Sequence, residues 1–248
     1  MKKLIVLCSL IIGLTNCNSF KANRIEKEHS EIIAIVADVT NKRLIWPSAT
    51  ATLSMFRCDE QPDEACTFIL TAISNKQINP VFSCILPDAT TTEKRNYNDD
   101  AQFRKKCILT FYHQIGNAYR NFYSMFDTTQ TLDHSEVFAT LSSTLHELVA
   151  DSSDEKILVM YSDLLEKSSY GNAYTNFTRL PVSTIAERFN ATGLLPNSLK
   201  GITVVVVYNT TGRADDARFI RMYSAYKLLL EQRGAIVKEQ ANNDADGY

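Results

Sequence analysis

Three nearly continuous apolar runs, each of which stops at a polar residue, dominate the hydrophobic pattern of the chain. They cover residues 32–37, 156–162 and 202–208. The polar residues that directly follow them are Asp38, Asp163 and Asn209. Runs without alternation are typical of strands that are buried on both faces of a parallel sheet. Their high content of β-branched residues favours strands over buried helices.

Shorter apolar runs over residues 67–73 and 81–86 are separated by a polar turn, which predicts a hairpin. A last run over residues 235–239 follows Gly234 and predicts a final edge strand. Between the strands, apolar residues at spacings of three and four predict helices. These helices cover residues 100–126, 135–149 and 215–232, with a weaker one over residues 183–189.

The order of these elements predicts the fold class and the domain boundaries. Strands alternate with helices, which is typical of an α/β domain with a mostly parallel sheet and helices on both faces. We therefore expect a three-layer α/β/α domain over residues 31–241. Its sheet should have six strands, and the hairpin should supply one antiparallel edge strand. The polar tail over residues 242–248 is expected to be disordered.

The beginning of the chain has the pattern of an export signal. Lys2 and Lys3 precede an apolar stretch over residues 4–14, which is shorter than the roughly 20 residues needed to cross a bilayer. We predict a signal peptide over residues 1–16 and a polar tether over residues 17–30.

The stretch Leu14-Thr15-Asn16-Cys17 resembles the lipobox of bacterial lipoproteins. The resemblance implies that Cys17 carries lipid, including palmitate, and becomes the new N-terminus. The domain would then be anchored in the bacterial cell envelope, in the periplasm or at the cell surface. Several acyl chains would hold firmly, because each buried CH₂ contributes about 0.8 kcal/mol. The alternative is an ordinary secretory signal with an incidental cysteine.

The charge of the mature chain argues against a nucleic-acid partner. Removal of the leader takes Lys2 and Lys3 with it and moves the formal net charge from −2 to −4. Proteins that bind nucleic acid concentrate positive charge on one surface, and a mildly acidic chain with mixed charges does not.

Four cysteines remain when Cys8, in the leader, and Cys17 are set aside. An even number in a chain bound for an oxidising compartment predicts disulfides, and three pairings are possible. We favour Cys58–Cys66 and Cys84–Cys107, because the first pair brackets a short acidic turn. The alternative is a set of reduced, buried thiols. The cysteine spacing does not indicate a metal site, since there is no C-x₂-C pair.

Two acidic residues, Asp38 and Asp163, come directly after predicted core strands. Open α/β sheets bind ligands beyond the carboxyl ends of their strands, where the strand order reverses. If the two strands are neighbours at that point, both carboxylates face the same crevice.

Residues 35–42 and 159–166 resemble the first strand, with its metal-site loop, and the fourth strand of von Willebrand factor A domains. The order of elements over roughly residues 31–241 agrees. In that family a D-x-S-x-S loop, a distant threonine and an aspartate after the fourth strand hold a divalent cation, usually Mg²⁺. A ligand carboxylate then completes the coordination. The resemblance implies these oxygen ligands here: Asp38, Thr40, Asp163, and either Thr129 or Thr131.

Lys42 stands where the second hydroxyl ligand of that loop is expected. A divalent cation repels an ammonium group, so Lys42 could pair with Asp38 or Asp163 and replace the cation. In a purely structural alternative, Asp38 and Thr40 cap the turn and the helix after the strand.

The expected function is binding rather than catalysis. The resemblance implies a binding or scaffolding role toward another protein at the carboxyl edge of the sheet, with or without a cation. The alternative is a periplasmic metal-dependent hydrolase or phosphatase that uses Asp38 and Asp163. The sequence contains no P-loop, no dinucleotide-binding motif and no nucleophile elbow.

Overall fold

The computed structural model describes residues 30–76, 78–89, 100–126, 131–208 and 212–241. Its main sheet contains β1 (Ser30–Asp38), β2 (Ala65–Ile73), β3 (Val81–Leu86), β4 (Glu155–Tyr161), β7 (Ile202–Tyr208) and β8 (Ile236–Ala241). The strand order is β3-β2-β1-β4-β7-β8, and in this described sheet only β3 runs antiparallel to its neighbour. The predicted six-stranded sheet with one antiparallel edge strand is therefore confirmed.

Helices cover both faces of this sheet, which confirms the predicted three layers. They are α1 (Ala49–Leu53), α2 (Asp100–Met125), α3 (Val137–Ala150), α4 (Val182–Ala191) and α5 (Arg213–Glu231). Helices α3, α4 and α5 share one hydrophobic core with one face of the sheet, and α2 shares the other core with the opposite face. The sequence pattern did not predict the small hairpin of β5 (Lys167–Ser168) and β6 (Gly171–Asn172), or the 3₁₀ helix Asn176–Arg179.

The central strand β1 explains how the two cores are built. Ile32, Ala34 and Val36 belong to one core, whereas Ile33, Ile35 and Ala37 belong to the other. Successive side chains of a strand point to opposite faces, so a strand between two helix layers must be apolar at every position. This burial fixes β1 in the middle of the sheet and carries Asp38 to its carboxyl edge.

The predictions for both ends of the chain lie outside the described residues. These are the signal peptide, the lipidated Cys17, all of the tether except Ser30, and the tail; Thr129 is likewise outside. Ser30, assigned to the tether, is the first residue of β1. Within the described ranges, no helix is both long and apolar enough to cross a membrane.

Candidate functional site at the carboxyl edge of the sheet

The two central strands end side by side. β1 and β4 are parallel neighbours, and Ala37 pairs with Tyr161 in their last register position. Asp38 follows Ala37 directly, and Ser162 and Asp163 follow Tyr161. The condition under which the two acids would face one crevice is therefore met.

Asp38 is almost completely buried, at 1% exposure, and three donors satisfy its carboxylate. Oδ1 accepts hydrogen bonds from the backbone N of Thr40 at 2.9 Å and from Thr40 Oγ1 at 2.6 Å. Ser162 Oγ donates to Oδ2 at 2.8 Å. Burial raises the pKa of Asp38, and the hydrogen bonds from Thr40 and Ser162 act against that rise.

Asp163 is 4% exposed, and its Oδ1 accepts a hydrogen bond from the backbone N of Leu165 at 3.0 Å. Burial, and then the negative charge of Asp38, raise the pKa of Asp163 to about 7. A side-chain hydrogen bond from Asn41 lowers that pKa. Neither Asp38 nor Asp163 makes an ion pair with any basic residue that the structure describes. Among the described residues, the two adjacent buried acids at this edge have no cationic side-chain partner.

The backbone after Asp163 turns sharply. Leu164 has a φ of 57°, which is unusual for a residue other than glycine. In this conformation the backbone N of Leu164 donates to Ser162 Oγ at 2.9 Å. Ser162 therefore receives one hydrogen bond and gives another to Asp38, so the turn also orients the acid pair.

Of the two threonines suggested for the distant position, only Thr131 is described. It is exposed, and the next residue, Leu132, donates its backbone N to the carbonyl of Thr40 at 2.7 Å. The chain at Thr131 therefore lies beside the loop that carries Asp38 and Thr40. Lys42 is exposed, and the expected alternative of an ion pair with Asp38 or Asp163 is not formed.

The donor set at this edge fits a hard divalent cation. It consists of carboxylate and hydroxyl oxygens from Asp38, Thr40 and Asp163, and Mg²⁺ prefers such oxygen ligands while keeping several waters. Thr131 lies on the neighbouring segment. The second loop hydroxyl of the family pattern has no counterpart here, because Lys42 occupies its position.

A rim of polar and aromatic residues that the sequence analysis did not single out borders the acid pair. Arg218 Nη1 lies 2.8 Å from Asp215 Oδ1, and the Arg218 guanidinium lies 5.1 Å from the centre of the Tyr174 ring. Burial raises the pKa of Tyr174 to about 12, and the charges of Asp163, Asp215 and Asp38 contribute to that rise. Tyr174, with Arg218 beside it, therefore lies close enough to the acid pair to feel its charge.

A further buried acid, Glu166, lies three residues beyond Asp163. Its Oε2 accepts hydrogen bonds from the backbone N of Phe138 at 2.7 Å and from the Tyr226 hydroxyl at 3.2 Å. Burial raises the pKa of Glu166 to about 7, hydrogen bonds from Ser168, Phe138 and Tyr226 lower it, and the charge of Glu136 raises it. Glu166 therefore joins the start of α3 to α5 behind the site, which is a structural role.

All four described cysteines are free thiols in the structure. Cys58 Sγ and Cys66 Sγ are 3.0 Å apart, so the structure brings the first predicted pair together without bonding it. Cys84 on β3 and Cys107 on α2 form no bond either. Both disulfides stay predictions.

Comparison with known proteins finds similarity in structure only. No protein-family model matches the chain, and no curated protein matches it. The PilB minor pilin from Streptococcus sanguinis is similar over 90% of this chain, with a TM-score of 0.47 and 10% identity. This chain spans 59% of the length of that pilin chain.

Two Bacteroides proteins are also similar, each with a TM-score of 0.35 and 11% identity. One is an aerotolerance-related membrane protein from Bacteroides fragilis, with coverage of 87% of this chain and 94% of that one. The other is the conserved hypothetical protein BatB from Bacteroides thetaiotaomicron, with coverage of 88% and 93%. At these identities and TM-scores, nothing about the function of those proteins transfers to this chain.

Proposed function

We propose that this chain is a lipid-anchored protein of the bacterial cell envelope and that its α/β domain binds another protein at the carboxyl edge of the sheet. The contact would be made through a divalent cation, such as Mg²⁺, that Asp38, Thr40, Thr131 and Asp163 hold. A carboxylate of the partner would complete the coordination of that cation.

One observation carries this proposal: two adjacent acids are buried at the edge, and no basic side chain in the described ranges pairs with them. Bringing two carboxylates together out of water is unfavourable unless a proton or a cation compensates their charge. The raised pKa of Asp163 reports this unfavourable charge. A divalent cation offers compensation at neutral pH without protonation.

Some residues of this site would position the two acids, and others would bind the cation or contact the ligand. Ser162 and the Thr40 backbone hold the Asp38 carboxylate in place by hydrogen bonds, and Leu165 holds Asp163. Asp38, Thr40 and Asp163 offer oxygen donors from two adjacent strand ends. A bound divalent cation would supply the positive charge that attracts an acidic ligand. Tyr174 and Arg218 would contact that ligand at the rim.

Lys42 changes the affinity of this site for a cation rather than taking the place of the cation. Its side chain is exposed, so the ammonium group can stay in water while a cation binds at the acid pair. Repulsion between Lys42 and a cation should weaken binding, and more so at low salt.

The test uses a pair of short peptides that differ only by glutamate and glutamine. With Mn²⁺ present, the protein should bind the glutamate peptide at least threefold more tightly than the glutamine peptide. This preference should vanish with a chelator and in Asp163→Asn, whereas Asp133→Asn should keep it. Asp133 is a matched control, because it is fully exposed at the same edge. Equal binding of both peptides under all conditions would refute the proposal.

A second candidate function rests on the adjacent buried carboxylates of Asp38 and Asp163 at the ends of neighbouring parallel strands. Paired carboxylates hold divalent cations in many hydrolases, where the cation would lower the pKa of a bound water and supply a nucleophile. Asp38 and Asp163 could then serve a metal-dependent phosphatase or hydrolase. Turnover of p-nitrophenyl phosphate or a nitrophenyl ester with Mg²⁺ or Mn²⁺, lost in Asp38→Ala, would favour this alternative.

A further inference from the structure

We propose that Cys58 and Cys66 form an oxidation site whose disulfide latches the connection between α1 and β2 beside an open cavity of the sheet. The two sulfur atoms are 3.0 Å apart, and both cysteines are 1% exposed. Cys66 is fixed in β2, whereas Cys58 lies in the irregular connection that precedes it. A bond between them would close a short loop on a rigid strand.

Hydrogen bonds and an ion pair connect the segment that carries Cys58 to the neighbouring strands. Cys66 Sγ donates to Glu31 Oε1 at 3.4 Å, and the backbone N of Arg57 donates to the same oxygen at 3.1 Å. The Arg57 guanidinium reaches Glu155 Oε2 at 2.7 Å. The connection before β2 is thus tied to β1 through Glu31 and to β4 through Glu155.

This connection also forms the wall of a cavity of about 570 Å³. Phe56, Arg57 and Asp59 line it from the connection, while Val159 and Val205 line it from the sheet. α2 packs mainly against β2 and β3, and the cavity lies over β4 and β7. A bond between Cys58 and Cys66 would therefore restrict the motion of the connection that lines this cavity.

The chemistry needs an oxidant, and we assign that role to a disulfide of the oxidising compartment. The thiols of Cys58 and Cys66 lose their two hydrogens as one S–S bond forms. The S–S bond of the oxidant breaks by thiol–disulfide exchange, and its two sulfurs take up the two electrons and the two protons as thiols. Oxidised glutathione is the probe for this step.

The Cys58 hydrogen bond, burial and the nearby Glu31 charge all raise the pKa of the Cys66 thiol. A thiolate is therefore disfavoured while the site is closed, and a disulfide formed there is shielded from reductants. Native oxidised protein should resist a reductant that opens the bond readily in denaturant.

The chain offers a direct assay, because no lysine or arginine lies between Cys58 and Lys76. Full-length protein is equilibrated with oxidised glutathione, alkylated in denaturant without reductant, and digested with trypsin. The peptide of residues 58–76 should carry no alkyl group and should be lighter by two hydrogens. Two alkyl groups on this peptide would overturn the proposal.

The same digest separates the second predicted bond from the first. Cys84 and Cys107 fall in different tryptic peptides, so a bond between them would join those peptides. Its presence or absence leaves the result for residues 58–76 unchanged.

The latch itself is tested by hydrogen exchange. Reduction in denaturant followed by refolding, or the double variant Cys58→Ser/Cys66→Ser, should raise amide exchange at residues 56–61 at least tenfold. Exchange in α3 should not change, and Cys84→Ser should behave as the native protein. Equal protection of residues 56–61 in the oxidised and reduced forms would show that the disulfide does not restrict the motion of this connection.

Discussion

The hydroxyl of Ser162 donates a 2.8 Å hydrogen bond to Asp38 and so joins the ends of the two central strands. Ser162 belongs to the segment that follows β4, whereas Asp38 is the last residue of β1. Both residues are 1% exposed, so water cannot replace this bond. The orientation of the acid pair therefore depends on a residue that carries no charge.

Replacing Ser162 by alanine should destabilise the protein by about 1–3 kcal/mol, because a buried carboxylate loses a donor. It should also weaken cation binding, since Asp38 is no longer held at Oδ2. Urea denaturation and Mn²⁺ titration measure the two effects. Ser124→Ala removes an exposed helix hydroxyl and should change neither. Unchanged stability in Ser162→Ala would contradict the structural role of this hydrogen bond.

Gly171→Ala should destabilise the small hairpin next to the site. A Cβ at Gly171 would overlap the ring of Phe177, which is fully buried and packs edge-on against Phe189. Overpacking of this kind costs about 1–3 kcal/mol. The control is Gly116→Ala in α2, where a Cβ meets open space.

Gly116→Ala should stabilise the protein by about 1 kcal/mol, because alanine favours a helix more than glycine does. Thermal unfolding of both variants gives opposite shifts if the packing is as described. A shift of the same sign in both would count against the Gly171 contact.

Glu166 should make the protein less stable as the pH rises from about 4.5 to about 7. Its folded pKa is about 7 and its unfolded value is 4.5, so the folded state binds more protons in this window. The stability from this group is complete below the unfolded pKa and is lost as the pH passes the folded pKa. The difference corresponds to about 3 kcal/mol.

Glu166→Gln keeps the shape of the side chain and removes this titration. Urea denaturation at pH 4.5 and pH 8 should show a smaller pH dependence in Glu166→Gln than in the native protein. Glu187→Gln, at an exposed position on α4, should follow the native protein. Identical pH dependence in Glu166→Gln and native protein would show that Glu166 is not the group responsible.

Lipidation at Cys17 should place the protein in the membrane fraction. Labelled palmitate should enter the native protein and the Cys8→Ala variant, and it should not enter Cys17→Ser. Cys17→Ser should also shift to the soluble fraction, because the acyl chains that hold the protein are missing. Equal labelling of all three would place the lipid elsewhere, and no labelling of any would indicate an ordinary secretory signal.

The central strand β1 could be predicted from the sequence because its burial depends on a local hydrophobic pattern. The run over residues 32–37 is apolar at every position, and only a strand between two helix layers needs that composition. Asp38 at the end of β1 and Asp163 beyond β4 meet because the two strands are parallel neighbours, a pairing that the sequence pattern left as a condition.

The supporting residues could not be predicted, because they act through contacts between distant segments. Ser162 is an ordinary serine in the sequence, and only the pairing of β1 with β4 places it beside Asp38. Glu166 looks like a surface residue until the packing of α3 and α5 buries it. The small hairpin at Gly171 is too short to leave a hydrophobic period.

Calorimetric titration of the metal-free protein with Mn²⁺ and Mg²⁺ shows whether the buried acid pair binds a cation. We expect one site in the native protein, tighter binding in Lys42→Ser, and no binding in Asp163→Asn. Asp133→Asn should bind as the native protein does. If the native protein and Lys42→Ser both give the same heats as Asp163→Asn, the buried acid pair does not hold a cation, which contradicts the proposed function.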